Sequence, residues 1–139
     1  MDYSDVQSVL DMCFEEISQA HRDKYDCDKA DRTAALFLLA QMKLSSLIEE
    51  VDIKSKFYKN EITRLEGEKY FEYKMSNSGQ KITEAMLSNY VAKDSDIVTT
   101  KTLCAEQEAA IKKWNFILGT LKDGHIFFRN LSKNKTWSE

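Results

Sequence analysis

The chain has 139 residues, no proline, only four glycines and a formal net charge of −3. A domain built from strands normally needs turn residues more often than this, so the composition argues against a β-rich fold and favours long α-helices. The chain lacks an apolar run of transmembrane length and a basic, apolar secretion signal, so no membrane partner is expected. Three widely spaced cysteines (Cys13, Cys27 and Cys104) are expected to be reduced thiols in a cytoplasm.

Two helices are predicted before a turn at residues 76–79. The first carries one apolar face and ends at about residues 21–22, where a polar connection begins. The second is predicted to begin at Arg32. It could bend or break at Gly67 or in the charged interval 49–52.

A short third helix is predicted over residues 82–93, and a long fourth helix follows a break and cap at residues 94–96. From Ile97 to Phe128, mostly apolar residues recur at spacings of three and four. This spacing places them along one side of a helix about 50 Å long, and we call this line of residues the seam. Gly124 is expected to fray or bend this helix. A seam of that length needs partner helices, either from this chain or from copies of it. We therefore predict an oligomerisation helix whose contact residues are Ile111, Trp114, Leu118, Leu121 and Phe128.

The sequence contains no recognisable catalytic, metal or cofactor site. Residues 26–28 are similar to the opening of a calcium loop, but the glycine and the closing glutamate of such a loop are missing. Residues 15–16 and 49–50 are two pairs of adjacent glutamates. Adjacent side chains point in different directions on a helix, so we expect these carboxylates to be surface charges and not acid–base pairs. His125 lies on the seam, which is typical of a packed or interface histidine. We expect a protein that is not an enzyme and needs no cofactor.

The middle of the chain combines basic and aromatic side chains. Lysine and arginine neutralise backbone phosphates while aromatic rings stack on unpaired bases, which is the chemistry of single-strand binding without sequence readout. The alternative is an amphipathic helix whose aromatic residues are core and whose lysines pair with neighbouring glutamates, because the segment as a whole is neutral. The candidate DNA-binding residues are Lys54, Lys56, Lys59, Arg64, Lys69, Tyr70, Tyr73 and Lys74.

The expected fold is all-α, an elongated helical hairpin or bundle with a long C-terminal oligomerisation helix. Residues 1–30 would form the N-terminal helix and polar connection, residues 31–95 the helical DNA-binding region, and residues 96–139 the oligomerisation helix with a basic tail. The charge is unevenly distributed, since residues 1–50 carry −6 and residues 99–139 carry +3. An acidic head and a basic tail suggest surfaces with different partners.

The order of these parts resembles the UvsY-type recombination mediators of T-even bacteriophages, over residues 42–131. The matching pieces are Arg64 to Lys69, the helix end at Lys74 with Ser78-Gly79, Lys81 to Met86, Asp94 to Asp96, Trp114 with Ile117-Leu118, Leu121 to His125, and Phe128 to Leu131. The family's DNA-binding motif has a lysine and an arginine one residue apart before a tyrosine-rich helix end. Lys74 matches the lysine, whereas Ser76 stands at the arginine position and Asn77-Ser78 lack the tyrosines.

This resemblance implies a mediator of phage DNA recombination, repair and replication that binds single-stranded DNA in the cytoplasm of an infected bacterial host. It also implies two protein partners, a RecA-like recombinase and the single-strand-binding protein that it displaces. The homo-oligomer would be a ring of six or seven subunits. The alternative, favoured by the acidic first half, is a helical adaptor or virion-assembly protein that binds only other proteins.

Overall fold

A computed structural model of the chain describes residues 3–20 and 27–133. These residues form four α-helices and no strand, so the all-α prediction is confirmed. The predicted end of the first helix at residues 21–22, the first part of the polar connection and the tail after Lys133 lie outside the described residues. The helices are α1 (Tyr3–Ala20), α2 (Cys27–Ser76), α3 (Glu84–Ala92) and α4 (Ser95–Lys133).

The start of α2 differs from the prediction, because the helix begins at Cys27 rather than at Arg32. Packing onto α1 holds the additional turn in place. Ala30 is fully buried, and Lys29 Nζ donates a hydrogen bond to Gln19 Oε1 of α1 at 3.0 Å. α2 then continues without a break through both places where a bend or break was considered.

The breaks between the later helices have local causes. After α2, Gly79 adopts a φ of +87°, a left-handed conformation that strains residues with a Cβ. Thr83 Oγ1 accepts a hydrogen bond of 3.2 Å from the first turn of α3. Asp94 Oδ1 accepts one of 3.1 Å from the Ile97 amide at the start of α4. The predicted turn after α2 and the predicted cap of α4 are therefore confirmed.

The helices pack as two compact units, and both α2 and α4 contribute to each of them. Unit 1 comprises Met1–Glu50 and Lys112–Glu139, and unit 2 comprises Val51–Ile111. The segments 31–95 and 96–139 that were predicted from chain order are therefore each shared between the two units.

In unit 1, α1 packs against the first part of α2 and the last part of α4. The rings of Phe37 on α2 and Phe128 on α4 are both fully buried, with centroids 5.3 Å apart. α4 continues through Gly124 to Lys133, so the fraying predicted at this glycine does not occur. The other core residues of this unit include Val6, Leu10, Cys13, Ala34, Ala40, Leu44, Leu47 and Leu121.

The buried face of α2 in unit 1 includes only some of the apolar residues of this helix. Leu39 and Met42 are 45% and 65% exposed, whereas Phe37 and Leu44 are fully buried. Leu38 is exposed as well, so Leu38, Leu39 and Met42 form an apolar patch on the outside of the helix.

In unit 2, the second part of α2 packs with α3 and the beginning of α4. Val51 and Ser55 are buried from α2, Leu87 from α3, and Ile97 and Cys104 from α4. The thiol of Cys104 lies 3.8 Å from the carbonyl oxygen of Ser55, to which it donates a weak hydrogen bond. Each of the three helices in this unit therefore contributes at least one buried side chain.

Candidate nucleic-acid interface

All eight candidate DNA-binding residues lie on α2 within unit 2. They do not share one face of the helix. At 3.6 residues per turn, Lys54 and Lys56 point to nearly opposite sides, whereas Lys56 and Lys74 point to the same side. The structure therefore distributes the predicted residues around α2 instead of gathering them into one surface.

Four of the six candidate basic residues form ion pairs with carboxylates. Lys56 Nζ lies 2.9 Å from Asp52 Oδ2 along the same helix. Lys59 Nζ lies 2.9 Å from Glu108 Oε1 of α4, and this hydrogen-bonded carboxylate raises the pKa of Lys59. For these lysines, the structure favours the interpretation in which basic side chains pair with neighbouring acids.

The remaining two pairs follow the same pattern. Arg64 bridges Glu61 and Glu68, and the arginine lowers the pKa of the Glu61 carboxyl. Lys69 Nζ lies 3.3 Å both from Asp94 Oδ2 and from Glu72 Oε2, and these two carboxylates raise its pKa, Asp94 the more strongly. A phosphate that approached any of these cations would have to compete with a carboxylate already in place.

The two candidate tyrosines have different environments. Tyr73 is half-buried and its ring lies against that of Tyr90 on α3, with centroids 4.6 Å apart and an interplanar angle of 36°. Tyr70 is more open, and Lys74 Nζ lies 4.6 Å from the centroid of its ring. Tyr73 therefore serves packing between helices, while Tyr70 is accessible from solvent.

Lys54 and Lys74 are the two candidate basic residues without a carboxylate partner in the described part of the chain. Each has an exposed phenylalanine three residues away, Phe57 for Lys54 and Phe71 for Lys74. Side chains three apart are neighbours on a helix surface. Each of these positions places a lysine without an ion-pair partner near an accessible phenylalanine ring, although Lys74 already lies against Tyr70. The candidate set did not include the phenylalanines.

The electrostatic surroundings in unit 2 are mixed. The unit contains nine basic and ten acidic residues. Tyr70 and Lys101 border an open groove of about 310 Å³, and Glu66 and Glu84 border the same groove. A phosphate near Tyr70 would therefore meet negative as well as positive charge.

The five predicted oligomerisation residues divide into two groups. Leu121 and Phe128 are fully buried within unit 1, so they cannot contact a second copy while the unit keeps this packing. Ile111, Trp114 and Leu118 are only half-buried and remain partly accessible. In unit 1, helices of the same chain therefore cover part of the seam of α4. This is one of the two predicted sources of partner helices, the other being copies of the chain.

Unit 1 contains a basic surface whose residues are not among the candidate DNA-binding residues. Lys112, Lys113, Lys122 and Arg129 of α4 are exposed, and no carboxylate among the described residues pairs with them. Phe116 lies among them and is 79% exposed, more than any other large apolar side chain that the structure describes. The positive charge of residues 99–139 predicts a basic surface in this part of the chain, but it does not identify these residues.

His125 has a structural contact. Its Nδ1 lies 3.0 Å from the carbonyl oxygen of Ala34 on α2, so this nitrogen carries the hydrogen and donates it. The residue is half-buried, in agreement with a packed histidine. Within residues 3–20 and 27–133, no group of three or more histidine, cysteine, aspartate or glutamate side chains could hold a metal ion.

Two further findings bear on function. No helix in the described part of the chain is long and apolar enough to cross a membrane. Comparison with protein-family models, with curated proteins and with solved structures finds no match to this chain.

Proposed function

We propose that this chain is a recombination mediator that binds single-stranded DNA and helps to load a RecA-like recombinase in place of single-strand-binding protein. It would act without catalysis in phage homologous recombination and recombination-dependent replication. The observation that carries the proposal is that Lys54 and Lys74, which form no ion pair among the described residues, each lie three residues along α2 from an exposed ring, that of Phe57 or Phe71. A cation beside an accessible ring can neutralise a phosphate while the ring stacks on an unpaired base.

The ion pairs of the other candidate residues weaken this site without removing it. Ion pairs between exposed side chains contribute little to stability and are screened by salt, so a phosphate can replace the carboxylate partner. A homo-oligomer would also present the same weak site several times along one strand. Linked weak sites bind far more tightly than one site alone.

Homo-oligomerisation is the second part of the proposal, as a ring of six or seven subunits. It is supported by apolar side chains that the subunit leaves exposed or half-exposed. The exposed patch of Leu38, Leu39 and Met42 on α2 is suited to another copy or to a protein partner, and Trp114 and Leu118 on α4 are partly accessible. The recombinase and the single-strand-binding protein are the protein partners proposed.

The direct test measures DNA binding and mass on the same sample. Fluorescence anisotropy with a labelled oligothymidylate at low salt should show binding that weakens steeply as salt is added. Oligonucleotides of other base sequences should bind equally well, because stacking and phosphate contacts do not read sequence. An intact oligomer that fails to bind any single-stranded oligonucleotide at low salt would refute DNA binding.

Loading activity needs a separate assay. Recombinase assembly on DNA already coated with single-strand-binding protein should be faster when this protein is added, with the recombinase's own ATP hydrolysis as the readout. The same assay on bare DNA is the control, because there the coating protein is absent. Equal rates with and without this protein on coated DNA would contradict the mediator role.

A helical adaptor or virion-assembly protein is the second candidate, and one observation favours it. Four of the six candidate basic residues already have carboxylate partners, as expected for a surface that does not bind phosphate. A pull-down from infected cells separates the two functions. A mediator should recover a recombinase and a single-strand-binding protein, whereas an assembly factor should recover structural proteins of the virion.

A further inference from the structure

The outward side of the C-terminal part of α4 forms a distinct surface, which we call the α4 basic face. At 3.6 residues per turn its members lie on one side of the helix, opposite the buried Leu121 and Phe128. It extends over about 25 Å at 1.5 Å per residue. The α4 basic face consists of Lys112, Phe116, Lys122, Ile126 and Arg129, all within unit 1.

The cations of this face outnumber the one carboxylate exposed on the same side of the helix between Lys112 and Arg129, that of Asp123. No carboxylate among the described residues pairs with Lys112, Lys122 or Arg129, in contrast to the ion-paired lysines of α2. Between Lys112 and Arg129 the chain holds one acidic residue, Asp123, and one further basic residue, Lys113. The face therefore keeps a net positive charge that a negatively charged partner would neutralise.

The apolar members of the face are also unusual for a surface helix. Phe116 is 79% exposed and Ile126 is 53% exposed, although most large apolar residues of α4 on the opposite side are buried or half-buried. An exposed ring between lysines can bind single-stranded DNA in two ways, because the lysines pair with phosphates and the ring stacks on an unpaired base. Duplex DNA offers only the phosphates, because its bases are already stacked on each other.

We infer that the α4 basic face binds single-stranded DNA, with Lys112, Lys122 and Arg129 on phosphates and Phe116 stacked on a base. This inference rests on the proposed function and assigns the main DNA contact to α4 of unit 1 instead of to the predicted residues of α2. A second copy of the chain is the competing occupant. Two such faces would repel each other through their like charges, so charge complementarity favours the strand.

The test compares two triple variants that remove the same charge. Lys112→Gln/Lys122→Gln/Arg129→Gln neutralises the α4 basic face, and Lys56→Gln/Lys59→Gln/Arg64→Gln neutralises three ion-paired positions of α2. All six side chains are exposed, so neither variant removes a core contact. Anisotropy with an oligothymidylate is measured between low and moderate salt, with light scattering on the same samples.

The α4 variant should bind on the order of tenfold more weakly at low salt, and its slope of log affinity against log salt should fall by about 2. The α2 variant should change much less. Phe116→Ala should weaken single-strand binding by about tenfold and leave any duplex binding unchanged, whereas Phe116→Trp, which keeps a ring that can stack on a base, should bind like the unmodified protein.

Three results would overturn the inference, and the first two leave the proposed function standing. If the α4 variant binds like the unmodified protein while the α2 variant loses binding, the DNA contact lies on α2 and the proposed function survives. If the α4 variant loses binding only because the oligomer dissociates, the face is a contact between copies. If the unmodified protein binds no single strand at all, both the inference and DNA binding by this chain are refuted.

Discussion

Gly124 of α4 faces the ring of Phe37 on α2 so closely that a Cβ at this position would lie 2.6 Å from the Cδ1 atom of the ring. The ring cannot easily move away, because Phe37 is fully buried and packs against Phe128 at 5.3 Å between centroids. The glycine therefore permits the close approach of two helices in unit 1, within a helix that continues past it.

Gly124→Ala should destabilise the protein by about 1–3 kcal/mol through overpacking, even though alanine favours a helix by about 1 kcal/mol. Gly119→Ala is the matched control, since nothing lies within 4 Å of a Cβ built there. The control should be neutral or slightly stabilising. Urea unfolding followed by circular dichroism measures both, and equal stability of the two variants would contradict the close packing.

The same glycine shows what the sequence could and could not predict. The long register of α4 was predictable because its apolar residues keep one spacing, and Ile97, Leu121 and Phe128 are indeed buried. From the sequence alone, a glycine within this helix predicts a place where the helix frays or bends. The structure shows that Gly124 instead makes room for the ring of Phe37. The closeness of Phe37, 87 positions earlier in the sequence, follows from the tertiary packing and has no local signal.

The face of α2 and its ion pairs were less predictable for related reasons. Apolar residues at 36–40 surround the helix, so the spacing alone does not select Phe37 over Leu39 as the buried side chain. Pairs within a helix, such as Lys56 with Asp52, follow from spacing. The pair of Lys59 with Glu108 joins distant parts of the sequence and becomes visible only once α2 and α4 are packed within unit 2.

The buried and half-buried members of the α4 seam should respond differently to truncation. Leu121→Ala removes a fully buried side chain and should cost about 2–5 kcal/mol of stability. Trp114→Ala/Leu118→Ala removes partly accessible side chains and should reduce the mass of the assembly while leaving the subunit folded. Light scattering and circular dichroism on the same samples separate the effects, and a monomeric unmodified protein at micromolar concentration would refute oligomerisation.

The cap of α4 should make stability depend on pH in the acidic range. The Ile97 amide and, more weakly, the Lys69 ammonium lower the pKa of the Asp94 carboxyl in the folded protein. A lowered folded pKa means that the stabilisation is complete above the unfolded pKa of about 4 and disappears as the pH falls through the folded value.

Asp94→Asn should therefore be less stable than the unmodified protein at neutral pH, and the gap should close on acidification below about pH 4. Thermal unfolding at a series of pH values measures this gap. Asp96→Asn is the control, because its side chain has no contact among the described residues. A gap that stays constant down to the lowest pH would contradict the charge-dependent cap.

Cys13 should be unreactive in the folded protein. Its side chain is fully buried in unit 1, and this burial, with a smaller contribution from Glu16, raises the pKa of the thiol to about 11. Since the thiolate is the reactive form, Cys13 should react with a thiol reagent at mild alkaline pH only after urea is added. Rapid labelling of Cys13 without denaturant, mapped by mass spectrometry, would contradict this packing.

The acidic charge of α1 should oppose DNA binding. α1 contributes Val6, Leu10 and Cys13 to the core of unit 1, so deleting it would unfold the unit and test nothing about charge. Asp11 and Glu15 are exposed and accept hydrogen bonds from Gln7 and Gln19 within the helix, which their amide forms can still accept.

Asp11→Asn/Glu15→Gln should therefore stay folded and bind single-stranded DNA equally or more tightly at low salt, because two charges that repel phosphate are gone. The gain should vanish at high salt, where exposed charges are screened beyond about 10 Å or less. Anisotropy at both salt concentrations measures it. Weaker binding by this variant, at unchanged mass and helix content, would mean that the acidic head contributes to the DNA site instead of opposing it.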